Sequence, residues 1–192
     1  MRRQKIKHLG FSRNYALEIL LGLKRATIRK TNKGLKANDV VMLHARGSDG
    51  GVIGIGRIQE VEQKIVSELR DEDAQKEGFS SVEELLNALK THFKKLEKKD
   101  EISIIRFRLE KINAEFAVQM LSEFAEYVLS LSDICIDPVD RSRVEEFLRM
   151  PYEQKLKLCT DKNLLKAFRR IYIAMNVQRR LREKCKFDDE AT

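Results

Sequence analysis

Cysteine and histidine are scarce in this chain, and neither is placed for chemistry. Cys135, Cys159 and Cys185 lie far apart with no paired spacing, and His8, His44 and His92 are equally scattered. Such spacing excludes a readable zinc motif and a disulfide framework. The odd cysteine number and the lack of a signal-peptide pattern lead to the expectation of a reducing, cytoplasmic setting. No apolar run approaches the roughly 18 residues of a membrane span, so no membrane partner is expected. No cofactor and no metal are expected either.

Other signatures are missing too. There is no internal repeat and no low-complexity tract. The glycines of "GVIGIG", Gly51 to Gly56, have the wrong spacing for a dinucleotide fingerprint and sit inside a strand pattern rather than at a strand-to-helix turn. No Gly-centred short turn joins two helices of helix-turn-helix length.

Acidic residues are almost absent from two stretches. Residues 1–36 carry eleven Lys and Arg against Glu18, and residues 162–186 carry nine against Glu183. With a net charge of +8, these basic segments flank a nearly balanced middle and favour a polyanionic partner. The 42% hydrophobic content of the 192 residues is enough for a packed core.

The pattern predicts an α+β architecture. A strand is expected over Gln4–Phe11, then a helix in "SRNYALEILLGLK" with Ser12 as N-cap and Gly22 as stop. Strands follow in "ATIRK", "DVVMLHA" and "VIGIGRIQEVEQ", where Gly54 and Gly56 suggest a bulge or a close backbone approach. Two helices are expected over "VSELRDEDAQKEGF" and "SSVEELLNALKTHFKKL", the second capped by Ser80 or Ser81. "DEISIIRFRLEKI" is a strong closing strand.

Beyond Ile112 helical spacing takes over. Phe116, Met120, Phe124, Tyr127 and Leu131 recur at steps of three and four, and Leu165, Phe168, Tyr172, Met175 and Val177 are expected inside the last helix. Asp161 is its candidate cap. The domain reading is therefore residues 1–112 for the β-rich part and 113–192 for three or four helices.

The chemistry concentrates in "GLKRATIRK", Gly22 to Lys30. If Gly22 ends the helix, Thr27 and Arg29 share one strand face while Ile28 points to the core. A hydroxyl beside guanidinium and ammonium groups binds phosphate or carboxylate, and arginine adds bidentate recognition. The same set could act covalently if a base took the threonine proton and a carboxylate stood nearby. Spacing alone also fits Thr27 as an ordinary strand former among solvated cations.

"YALEILLGLKRATIRK" followed by "LKANDVVML" resembles the signature of the ASCH domain family, a helix with a Gly-x-Lys-x-x-Thr-x-Arg core and then a Gly-Asp turn into a strand. "SELRDEDAQKEGFSSVEELLNALKTHF" and "DEISIIRFRL" match the family's order of elements, and the likeness runs from about Lys5 to Ile112. The family's Gly-Asp turn is Asn38-Asp39 here, a mild change because asparagine tolerates positive φ.

The resemblance implies a small PUA-like β-barrel with flanking helices, and a cleft lined by Lys24, Thr27 and Arg29. PUA-like domains bind RNA. Some ASCH members are amidohydrolases that remove acetyl from N(4)-acetylcytidine with a Lys, a Thr and a downstream Glu; Lys24, Thr27 and Glu77 stand at those places. Glu77 also reads as one solvated acid of the run "DEDAQKE".

Two functions therefore leave the sequence. The first is RNA binding through Lys24, Arg25, Arg29 and Lys30, extended by Arg169, Arg170, Arg179 and Arg180 of a basic last helix that can track a phosphate backbone. The alternative is an amidohydrolase with Thr27 as nucleophile, Lys24 as base and Glu77 as acid.

Overall fold

The computed structural model describes residues 6–189 except 94 and 133, with side chains described as far as residue 179. The chain divides into two compact units, Met1–Asn113 and Ala114–Thr192.

In the first unit β1 (Lys7–Ser12) leads through a 3-10 turn into α1 (Ala16–Leu20) and β2 (Ala26–Arg29). Then come β3 (Val40–Arg46), β4 (Val52–Ile65), α2 (Asp71–Glu77), α3 (Val82–His92) and β5 (Glu101–Ile112). The strands form one sheet in the order β1-β3-β4-β5-β2, curled into a half-barrel. β1 runs parallel to β3, and the other pairs are antiparallel.

The curl has local causes. Register shifts fall between Leu43 and His44, between Ile55 and Gly56, and between Ile58 and Glu60, and each extra residue bends and twists its strand. The second of these lies in the Gly54–Gly56 stretch where the spacing predicted one.

β5 is buried on both faces at its centre. Ile102 and Ile104 join Ile28, Leu69, Leu85 and Leu89 in a core between sheet and helices. On the other face Phe107 packs against Phe11 with ring centroids 5.2 Å apart. At the centre of this strand neither face is solvated, while Arg108, Glu110 and Lys111 towards its end are exposed.

Three expectations for this unit need correction. Ser12 does not cap a helix: it continues β1 opposite Arg46, its side chain makes no cap bond, and only a 3-10 turn and the five residues of α1 follow. Pairing with β3 holds the Ser12 backbone extended. The helix expected from Val66 breaks, because Leu69 stands in extended backbone with its side chain in the core, and α2 starts only at Asp71. The first strand begins at Lys7, and Gln4 lies outside the described residues.

The second unit holds α4 (Ala114–Ser130), α5 (Pro138–Arg149), α6 (Tyr152–Leu158) and α7 (Lys162–Asp189). Asp137 caps α5 by accepting from Val139 N and Asp140 N, and Asp161 accepts from Asn163 N and Leu164 N at the start of α7. Phe168 centres the core, edge-on to Phe147 at 5.6 Å and tilted against Phe124 at 6.2 Å.

Tyr127 and Val177, both expected inside, are 55% and 51% exposed. A step of three from Phe124 falls about 60° short of a full turn. Val128, one residue further, continues the buried stripe instead. No helix among the described residues is long and apolar enough to cross a membrane.

Candidate functional site

A cavity of about 610 Å³ opens in the first unit, with Lys24, Thr27, Arg29 and Glu77 on its wall and Tyr15 and Phe79 beside them. Its size is that of a small-molecule site.

Local backbone structure delivers each functional group. After α1 the chain turns at Leu21–Gly22, and the amides of Leu23 and Lys24 both donate to the Glu18 carbonyl, at 2.8 and 3.2 Å. Lys24 is thereby held in the loop before β2. Thr27 and Arg29 follow on the cavity side of β2, which is anchored to β5 in the register Thr27 to Ile105 and Arg29 to Ser103.

Glu77 comes from the opposite side. It is the last residue of α2, which stops because Gly78 adopts φ +94°, a conformation that glycine takes without steric cost. Its side chain and its carbonyl are both turned to Lys24: Nζ of Lys24 donates to Oε2 at 2.5 Å and to the carbonyl at 3.0 Å. Both residues are 4% exposed.

A buried ion pair is costly, and a buried carboxylate oxygen without a partner more so. Oε1 of Glu77 is such an atom. Thr27 is 3% exposed, and among the described residues its hydroxyl makes no hydrogen bond. The Lys24 ammonium also stands 4.7 Å from the centre of the Tyr15 ring.

Electrostatics reinforce the picture. Burial pushes the Tyr15 hydroxyl up, helped by Glu18 and Glu77 and opposed by Arg29, so it remains a donor. Burial holds the Arg29 guanidinium below its ordinary range, aided by Arg46 and opposed by Glu77. Arg29 donates to the Gly10 carbonyl at 2.6 Å and lies 5.7 Å from the Phe11 ring centre.

Lys24, Thr27, Arg29 and Glu77 are therefore brought together. The remaining cations named from the sequence stand elsewhere. Arg25 is exposed, is absent from the cavity wall and donates to the Gly22 carbonyl at 2.9 Å. Lys30 donates to the Lys95 carbonyl at 2.7 Å and lies 3.9 Å from Asp100.

In the second unit Arg170 grips the buried Asp140 with two hydrogen bonds of 2.6 and 2.5 Å. Arg169 is half-buried and Arg179 exposed, while the Arg180 side chain lies outside the described residues. Among the described residues no cluster of three His, Cys, Asp or Glu could hold a metal ion.

Among the wall residues that sequence reasoning missed are Tyr15, His8 and Arg46. Tyr15 read as part of an apolar helix face, and His8 and Arg46 stood out for nothing. Only the parallel pairing of β1 with β3, which sets Ser12 opposite Arg46, brings the last two to one rim. Burial and the neighbouring His8 and Arg46 push His44, behind that rim, down.

Asn38 has φ +71°, as its place in the turn required, and Asp39 accepts from Lys36 N and pairs with Lys7 at 2.6 Å.

Fold and cavity define the class: an α+β unit whose curled half-barrel carries a pocket of mixed polar and apolar lining between sheet and helices. Solved structures similar to it include ASCH domain structures and a protein of another family model. One is the ASCH domain from Lactobacillus crispatus, at 17% identity over 55% of this chain and 80% of that one, with a TM-score of 0.47. Another is ASCH from Zymomonas mobilis, at 16% identity over 61% and 76%, TM-score 0.44. A protein of family model DUF984 from Enterococcus faecalis aligns at 14% identity over 59% and 85%, TM-score 0.47. No family model and no curated protein matches the chain.

Proposed function

We propose that the cavity hydrolyses an amide on a nucleobase, with the N(4)-acetyl group of acetylated cytosine as the substrate class. The observation that carries this reading is the buried Lys24–Glu77 contact beside an uncommitted threonine hydroxyl. A desolvated ion pair with an orphan carboxylate oxygen on a cavity wall supports acid-base chemistry there.

The roles follow from the atoms. Passage of a proton from Lys24 to Glu77 across their contact leaves an amine and a carboxylic acid. Thr27 Oγ attacks the acyl carbon while the Lys24 amine takes its proton, and Glu77 protonates the departing nitrogen. The amine of the base is released and an acetyl ester remains on Thr27. Water then adds to the ester, acetate leaves and Thr27 recovers its proton.

RNA binding is the second reading, favoured by the eleven Lys and Arg in residues 1–36 and the net charge of +8. Incubation of the full chain with N(4)-acetylcytidine, followed by chromatography of the products, separates the two. Cytidine and acetate should appear with the natural chain and not with Thr27→Ala. If the natural chain releases no cytidine, the hydrolase reading fails, and tight, saturable binding of transfer RNA would then favour the second.

A further inference from the structure

The cavity wall carries a charge gradient. Among its lining residues Lys24, Arg29, Lys33 and Arg46 are cations, and Glu77 is the acid. Lys24 and Glu77 neutralise one another, which leaves Arg29, Lys33 and Arg46 without an ion-pair partner among the described residues.

These groups are ordered by depth. Lys24, Thr27 and Glu77 are buried, Arg29 is half-buried, and His8, Lys33 and Arg46 are exposed at the mouth. The mouth is also built with close backbone approach. Gly10 offers its carbonyl to Arg29, and a Cβ at that position would come within 2.5 Å of Arg46 Nε and 3.0 Å of His44 Cε1. The bare Gly10 backbone thus lets one guanidinium bond below it and another lie across it. The His8 ring stands edge-on to His44, 5.6 Å away.

The Arg46 guanidinium at the mouth, with Arg29 half-buried below it and a neutralised Lys24–Glu77 pair in the interior, suits a ligand whose polar aromatic end goes in and whose anionic end stays at the rim. We propose that the cavity takes its nucleobase as a free nucleotide, with the phosphate held by Arg46 and Arg29 beside His8. This rests on the nucleobase reading of the Lys24, Thr27 and Glu77 site. A free nucleotide is favoured over a polymer because Arg29, Lys33 and Arg46 all line the cavity, whereas Arg25 and Lys30 stand outside it, each giving one donor to a carbonyl of its own unit.

The test is a calorimetric titration of the full chain, at fixed ionic strength, with cytidine, cytidine 5′-monophosphate and a short oligoribonucleotide. The natural chain should bind the monophosphate at least about tenfold more tightly than the nucleoside, the size of one charge-assisted contact. Arg46→Gln, a change at an exposed position, should cut that advantage to about threefold or less.

Equal affinity for nucleoside and monophosphate overturns the proposal, as does failure of both to bind. Much tighter binding of the oligoribonucleotide than of the monophosphate also overturns it, in favour of RNA. Turnover is not read in this experiment. A chain that prefers the monophosphate yet releases no cytidine from the acetylated substrate would sink the hydrolase reading and leave the phosphate site standing.

Discussion

Lys24 and Glu77 touch at 2.5 Å, each 4% exposed, although they lie 53 positions apart in the chain. Removing either partner alone leaves a charge in a desolvated place. Lys24→Met should therefore destabilise the chain by about 3 to 5 kcal/mol, and the double variant Lys24→Met/Glu77→Leu should recover most of that loss. Urea unfolding midpoints of the three chains, compared at constant slope, give the answer. A single variant as stable as the natural chain would mean that the pair is solvated.

Glu77→Gln keeps a carbonyl oxygen for Lys24 but cannot deliver a proton in the same way. Turnover of N(4)-acetylcytidine should fall by about 10² to 10⁴, the usual range for a lost general acid, with cytidine affinity little changed. An equal loss in both quantities would reassign Glu77 to ligand binding.

Thr27 offers the complementary case. Its hydroxyl makes no hydrogen bond among the described residues, so Thr27→Ala should alter stability by only about 1 kcal/mol. Turnover should vanish in Thr27→Ala and persist in Thr27→Ser. Retained turnover in the alanine variant rules out covalent catalysis through this residue.

Asp140 should contribute to the acid response of the helical unit. Hydrogen bonds from Arg170 hold its carboxyl below the ordinary value of 3.8, against the opposing effect of burial. A carboxylate depressed in the folded state stabilises above its unfolded value and loses that stabilisation as pH falls through the folded one. Thermal midpoints of the natural chain should drop below about pH 4 more steeply than those of Asp140→Asn. Parallel curves would exclude Asp140 as the cause.

Gly54 meets the β5 backbone so closely that a Cβ there would lie 2.0 Å from the Lys111 carbonyl oxygen. Gly54→Ala should cost about 3 kcal/mol or prevent folding, whereas Gly34→Ala, with open space around it but φ +70°, should cost about 1 kcal/mol. Equal effects in chemical unfolding would contradict the close approach.

Local pattern determined much of this protein. Alternation placed Thr27 and Arg29 on one face, glycine chemistry ended α1 at Leu21–Gly22, and apolar steps of three and four marked the helices after Ile112, because each depends on neighbours within a turn or a strand. Glu77 was legible only through the resemblance to ASCH domains, since a helix acid in "DEDAQKE" carries no mark of burial.

Tertiary structure decided the rest. The parallel β1–β3 pairing extended Ser12 and carried His8 and Arg46 to the cavity mouth, and that register depends on a crossover no local spacing encodes. Arg170 looked like a free cation of a basic helix, and Asp140 claimed it. Charge can be counted in a sequence; whether it is paired, buried or left facing a cavity depends on which distant backbone it meets.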